Sequence, residues 1–136
     1  MPSASRRATA EPIMRMEREQ QAGGPIVRGF AGTGFRVDDG AYRALLLTVT
    51  AASGWTPPPL ATLDVDALAP LLDPAPEFVL IGTGATLTRP PAALVAALDA
   101  QGIGVEAMDS RAAARAWGVL RGEGRQIAAA LYPLDA

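Results

Sequence analysis

Residues 79–91 read VLIGTGATLTRPP. An apolar run ends in Gly82-Thr83-Gly84, and two prolines follow at 90 and 91. A strand that leaves through G-x-G into a helix opens the dinucleotide-binding βαβ unit, where each of three glycines has a task. Gly82 and Gly84 meet the first two, but Leu87 stands where the third belongs. Ala85 to Arg89 separate the turn from the prolines, so the helix should begin near Pro90 rather than at the turn. Pro90 and Pro91 also lack the N–H groups that a helix start offers to phosphate. Glu106, 24 positions beyond Gly82, is the one further element that fits. The stretch therefore reads as a sharp exit from a buried strand, with glycine permitting positive φ.

Working outward, Phe78 to Ile81 is a fully apolar strand. Pro90 and Pro91 suit the first turn of a helix lined by Leu94, Val95 and Leu98 and stopped by Gly102. Ile103 to Met108 is the next strand. Asp109 and Ser110 can cap a further helix whose apolar face is Ala113, Ala116, Trp117 and Leu120, with Arg111 and Arg115 on another face. Glu123-Gly124 turns the chain into a last strand, Gln126 to Tyr132. The order strand–helix–strand–helix–strand implies at least one right-handed crossover between parallel strands.

Upstream, Ile26-Val27 and Phe35 to Val37 read as short strands, and Asp38-Asp39-Gly40 as a turn. Tyr42 to Val49 reads as one buried strand pairing back as a hairpin. Residues 54–59, GWTPPP, must be a loop or an edge, because three prolines remove three donors. Asp64 can cap a helix with Val65, Leu68, Ala69 and Leu72 at helical spacing, which Pro70 limits to one or two turns. The predicted fold is α/β: a single layered domain over residues 25–136 with a mixed central β-sheet, flanking helices and an N-terminal β-hairpin. Residues 1–24 are expected to be a disordered tail with a nascent helix over 12–21, supported by Arg15 and Glu19 at i,i+4 spacing.

A chain of 136 residues has the length of one domain and can bury enough surface to need no disulfide or metal staple. It has no Cys and no His, and all 12 basic residues are Arg. That removes thiolate and imidazole chemistry, the usual zinc sites, Schiff bases and the phosphate-binding lysine. No catalytic residue, metal or cofactor is expected. A net charge of −2 and a pI near 5.0 argue against nucleic-acid binding, which rests on many cationic contacts. No apolar run approaches the ~20 residues of a membrane span. The N-terminus lacks the apolar stretch of a secretory signal. Its first ten residues carry two Arg and no acid, as organelle presequences do, but acidic residues follow. The expected location is cytoplasmic for a bacterial chain and mitochondrial for a eukaryotic one.

Two sets of residues are candidates for function. Trp55 beside Pro57 and Pro58 is a large aromatic in a loop, suited to anchor a protein interface; it could equally cover a core edge. The other set is a ligand pocket at the C-terminal ends of the strands, built from Gly82, Thr83, Gly84, Glu106, Asp109 and Arg115. Its bland counterpart makes Glu106 an outward edge residue, Asp109 a helix cap and Arg115 part of a solvated face. Trp117 is expected in the core.

The G-T-G turn, the prolines opening the helix, the G-I-G-V-E-x-M-D run and the E-G-R before a small apolar strand occur in fixed order from Ile81 to Tyr132. With Gly29-Phe30, the Asp-Asp-Gly hairpin and the Trp55-x-Pro loop, they resemble a family of small proteins of largely unknown function that includes the mitochondrial respiratory complex I assembly factor 3. The resemblance covers about residues 25–132. It implies a single α/β domain and, from the mitochondrial member, a noncatalytic role in complex assembly. The chain departs from the family where Ala116-Trp117-Gly118 replaces Thr-Tyr-Asn and where Ala114 replaces a frequent Cys, which weakens any carry-over of a small-molecule activity. The leading expectation is a noncatalytic protein-interaction module, an accessory or assembly factor for a respiratory or membrane-associated complex. The alternative is a small-molecule-binding or enzymatic domain at the Gly82-Thr83-Gly84 turn. A protein partner is expected, and homo-oligomerisation stays open.

Overall fold

The computed structural model describes residues 23–38 and 40–136. The expected tail and its helix over 12–21 lie outside these residues, apart from Gly23 and Gly24. β1 (Val27–Ala31), β2 (Gly34–Val37) and β3 (Gly40–Tyr42) form a three-stranded antiparallel sheet in chain order. The turn expected at 38–40 does join β2 to β3, although Asp39 lies outside the described residues. The single strand expected over 42–49 is two strands. The chain leaves the small sheet after Tyr42, and β4 (Leu45–Leu47) enters a second, five-stranded sheet. The residues of β4 are apolar on both sides, so they suit the centre of a two-faced sheet and not the half-exposed hairpin.

The second sheet has the order β5 (Ala52–Gly54), β4, β8 (Ala128–Leu131), β6 (Phe78–Gly82), β7 (Gly104–Met108). β5, β4 and β8 pair antiparallel, whereas β8, β6 and β7 run parallel, so the sheet is mixed. Helix α1 (Ala92–Asp99) connects β6 to β7, and α2 (Ser110–Gly122) connects β7 to β8. The period of two along each strand divides the core. Leu45, Leu47, Leu80, Ala129 and Leu131 face α2 and the small sheet, with Trp117 and Phe35 among them. Leu46, Val79, Ile81, Ala128 and Ala130 face the other way, toward Leu94 and Leu98 of α1 and Leu68.

Local chemistry sets the helix ends. Pro91 occupies the N-cap position of α1 without a side-chain cap, so the helix starts at Ala92, just beyond the prolines expected to open it. Gly102, at φ +77°, ends it as expected. Its N–H donates to the Asp99 carbonyl, and that of Ile103 to the Leu98 carbonyl, which satisfies the last turn. Asp109 caps α2 by accepting from the Ala112 N–H at 2.9 Å. Asp64 accepts from the Ala67 N–H ahead of a 3-10 helix over Asp66–Leu71, which contains Pro70 and is as short as that proline demands. At the N-terminal ends of β6 and β8, the Glu77 carboxylate accepts from Arg125 and from the Gln126 N–H. The Arg125 guanidinium holds the Glu77 carboxyl below the usual carboxylate range.

Candidate functional site

The Gly82-Thr83-Gly84 turn sits at the C-terminal end of β6, where open parallel sheets place ligands. Here the chain fills that place itself. The Thr83 N–H donates to the Met108 carbonyl at 2.9 Å, the Gly84 N–H to Ser110 Oγ at 2.8 Å, and the Ala85 N–H to the Ala136 carbonyl at 3.0 Å. Thr83 Oγ1 donates to the Thr86 carbonyl and accepts from the Thr88 N–H, closing the loop on itself. Ser110 is the hub. Fully buried at the first position of α2, it passes its own hydroxyl hydrogen to the Tyr132 carbonyl at 2.7 Å.

The glycines answer to this packing. A Cβ on Gly82 would lie 2.9 Å from Leu131 Cδ2 and 3.0 Å from Ser110 Cα. Gly84 has φ +105°, and a Cβ there would fall 2.3 Å from the Ala136 carbonyl oxygen. Helix α1 begins at Ala92, so its N-terminal amides are displaced from the turn. The geometry is that of a welded strand exit, with the Thr83, Gly84, Ala85 and Thr88 amides all bonded within the chain.

Of the other proposed ligand residues, Asp109 adjoins the turn, between Met108 and Ser110, which bond to Thr83 and Gly84. Glu106 is exposed on β7, an edge strand, and Arg115 is exposed on α2. Asp109 is spent on capping. Arg111, considered beside Arg115, lies over the Phe30 ring at 4.7 Å and joins α2 to the small sheet.

What the turn does border is the Trp55 loop. Trp55, half-buried, donates its main-chain N–H to the Ala44 carbonyl, and its indole meets the Tyr132 ring edge-on at 5.1 Å. The buried Tyr132 hydroxyl donates to the Pro58 carbonyl at 2.8 Å and fixes the proline run. Burial pushes its pKa up to about 12. A groove of about 680 Å³ results, lined by Trp55, Pro57, Pro58, Thr83, Thr88 and Tyr132, with Arg43 at its rim. Trp55, Pro57 and Pro58 thus meet Thr83 in one place, because β8 inserts between β4 and β6 and brings Tyr132 to both. Arg43 is held by Asp135 at 3.8 Å and by Thr33.

Trp117 is fully buried, as expected, and its indole N–H donates to the Pro25 carbonyl at 2.9 Å. Two buried polar residues lie on the same helix: Ser110, named from the sequence only as a possible cap, and Arg121, which the sequence reading missed. Arg121 is 1% exposed and donates to the carbonyls of Arg125 and Gly23. Ser110, Ala113, Trp117 and Arg121 make one buried stripe at helical spacing, so extending the apolar face by a turn at each end would have found both. Among the described residues, no cluster of side chains could hold a metal ion, and no helix is long and apolar enough to cross a membrane.

The chain belongs to a known family. Residues 27–132 match the family model described as "Protein of unknown function (DUF498/DUF598)". An uncharacterized protein of Rhodobacter capsulatus is 36% identical over 114 residues, covering 83% of this chain and 88% of its own length. A crystal structure from Bordetella parapertussis is similar with a TM-score of 0.74 and 30% identity, covering 82% of this chain and 97% of that one. A crystal structure from Bartonella henselae, described as that of an outer membrane protein, gives 0.72 and 28% over the same shares. A solution structure from Bordetella pertussis, described as a Mth938-like domain, gives 0.70 and 26% over 82% of this chain and 87% of that one.

Proposed function

We propose that this chain is a noncatalytic protein-interaction module, an accessory or assembly factor for a respiratory or membrane-associated complex, which docks through the Trp55 groove. The observation that carries the reading is the make-up of that groove. An aromatic anchor and a proline run are held rigid by Tyr132, beside a turn whose amides are already bonded. Tyr132, whose pKa burial raises to about 12, stays protonated at neutral pH, and Arg43 is engaged by Asp135 and Thr33. Such a surface recognises an apolar side chain and has no group poised to move a proton there. The sequence resemblance to the family of the complex I assembly factor supports the finer part, and the Bartonella relative is in keeping with a partner at a membrane.

Affinity purification with mass spectrometry from native cells tests this, using wild type, Trp55→Ala and Thr56→Arg. The second variant adds bulk and charge at an exposed position and leaves the Trp55–Tyr132 contact in place. Respiratory-complex subunits recovered with wild type and lost with both variants are the expected result. Equal recovery by all three proteins, or no specific partner for wild type, would sink the reading.

A further inference from the structure

The parallel neighbour of β6 on its outer side, β7, has no strand beyond it. The hydrogen bonds at its two ends show which residues face inward. The Gly104 N–H donates to the Glu77 carbonyl, and the Met108 carbonyl accepts from the Thr83 N–H. In a parallel ladder alternate residues bond to one side, so Gly104, Glu106 and Met108 bond toward β6, and Val105 and Ala107 direct their N–H and C=O groups outward. Beside this edge runs a groove of about 780 Å³ between β7 and α1, lined mainly by apolar residues such as Leu87, Val95, Val105 and Ala107, with Arg89 and Asp99 also on its walls. Three large apolar side chains stand exposed among the described residues, and two of them, Leu87 (60%) and Val95 (39%), border this groove. An open strand edge flanked by an apolar channel under a helix is the arrangement that accepts an added strand.

We propose that β7 and the α1 groove take an extended segment of a partner protein as a sixth strand of the sheet. The segment carries apolar side chains on alternate residues and a lysine or arginine between them. The apolar pair lies opposite Val105 and Ala107, whose side chains point to the α1 face, where Val105 packs against the core. The basic residue lies opposite Glu106, which is exposed on the other face. Charge also selects against the simplest competitor. Two copies of β7 pairing antiparallel about their midpoint would set Glu106 against the same glutamate of the second copy, a destabilising juxtaposition. The sheet's other edge, β5, has three residues and no exposed large apolar side chain beside it, which makes it a poorer template. The β7 site shares no lining residue with the Trp55 groove, so the two docking surfaces stand or fall separately.

The test is an NMR titration of the ¹⁵N-labelled full chain with two synthetic peptides, Ser-Thr-Ser-Val-Lys-Val-Ser-Thr-Ser and the same sequence with Glu for Lys. The expected result is that the Val105 and Ala107 amides shift and exchange more slowly with solvent. The Lys peptide should bind about fivefold tighter than the Glu peptide. Glu106→Lys should reverse that order. Ala107→Pro removes one outward N–H while leaving the β6 ladder intact, and should abolish the shifts with the rest of the spectrum unchanged. Shifts confined to the Trp55 groove, no shifts at all, or equal affinity for both peptides would overturn the proposal. So would slow exchange at Val105 and Ala107 that appears without peptide and grows with protein concentration, because a second copy would then occupy the edge.

Discussion

The turn after β6 and the outer edge of β7 are adjacent in the sheet and treat their main-chain polar groups in opposite ways. At the turn the Thr83, Gly84 and Ala85 amides are bonded within the chain, to Met108, Ser110 and Ala136 respectively. At Val105 and Ala107 the polar groups point away from β6 into open space beside exposed apolar side chains. The first region has the sequence look of a binding site and the bonding of a buried joint. The second is a short strand of ordinary sequence with unspent hydrogen-bonding capacity. A glycine pattern announces a backbone shape, and only the partners of each N–H and C=O decide whether that shape is available to another molecule.

Three measurements break or sharpen this contrast. The largest effect is expected from Ser110→Ala. It strips the buried Gly84 N–H and the Tyr132 carbonyl of their shared partner, and should cost about 3 kcal/mol in urea unfolding, with the change in midpoint and not in slope. A loss under 1 kcal/mol would mean that the joint is not closed. Next comes Tyr132 at the same joint. Its pKa is raised from 10.0 to about 12 in the folded chain, so the neutral phenol is the form the fold favours. Its contribution is whole below pH 10 and falls away as the pH rises toward 12, by about 2 kcal/mol. Unfolding midpoints at pH 8 and pH 11.5 should differ more for wild type than for Tyr132→Phe, and equal differences would remove the phenol from the account. The smallest effect belongs to the open region. Glu106→Gln should leave stability within about 0.5 kcal/mol of wild type by the same urea unfolding, since the side chain is exposed at an edge. A larger loss would mean that the edge is already engaged within the fold.

The order β6–α1–β7–α2–β8 was legible because each element carries local signals. Asp109 caps, Gly102 stops, and apolar runs of strand length are separated by helical spacing. The mixed character of the sheet was legible too, from a hairpin region joined to crossover units. The division of 42–49 between two sheets was not, since Tyr42 and Leu45 to Leu47 are equally suited to a strand, and their partners lie far away in sequence. The helix starts at Ala92 and not Pro90 because the residue before a proline is held out of the α region, and Pro91 itself is an extended N-cap with ψ 137°. For the candidate sites, local reading picked out the Trp55 loop and the Gly-Thr-Gly turn as separate features. That they share a groove depends on β8 pairing with both β4 and β6, a long-range fact that no spacing encodes. Arg121 escaped because a charged residue is assumed to face water, and the carbonyls that receive it come from Arg125 and from Gly23, the latter 98 positions away.

The place of β8 also bears on how the molecule is made. It follows every other strand in sequence, yet it lies in the middle of the five-stranded sheet, bonded to β4 on one side and β6 on the other. A chain emerging from the ribosome can form the β4–β5 hairpin and the β6–α1–β7 unit as they appear, but the two halves have no ladder between them until residues 128–131 are free. Until then β4 and β6 each present an apolar, unpaired edge, the condition under which nascent chains aggregate or recruit chaperones. Completion of the sheet therefore waits until β4 to β7 have all been made, and it is the step that first creates the Trp55–Tyr132 groove.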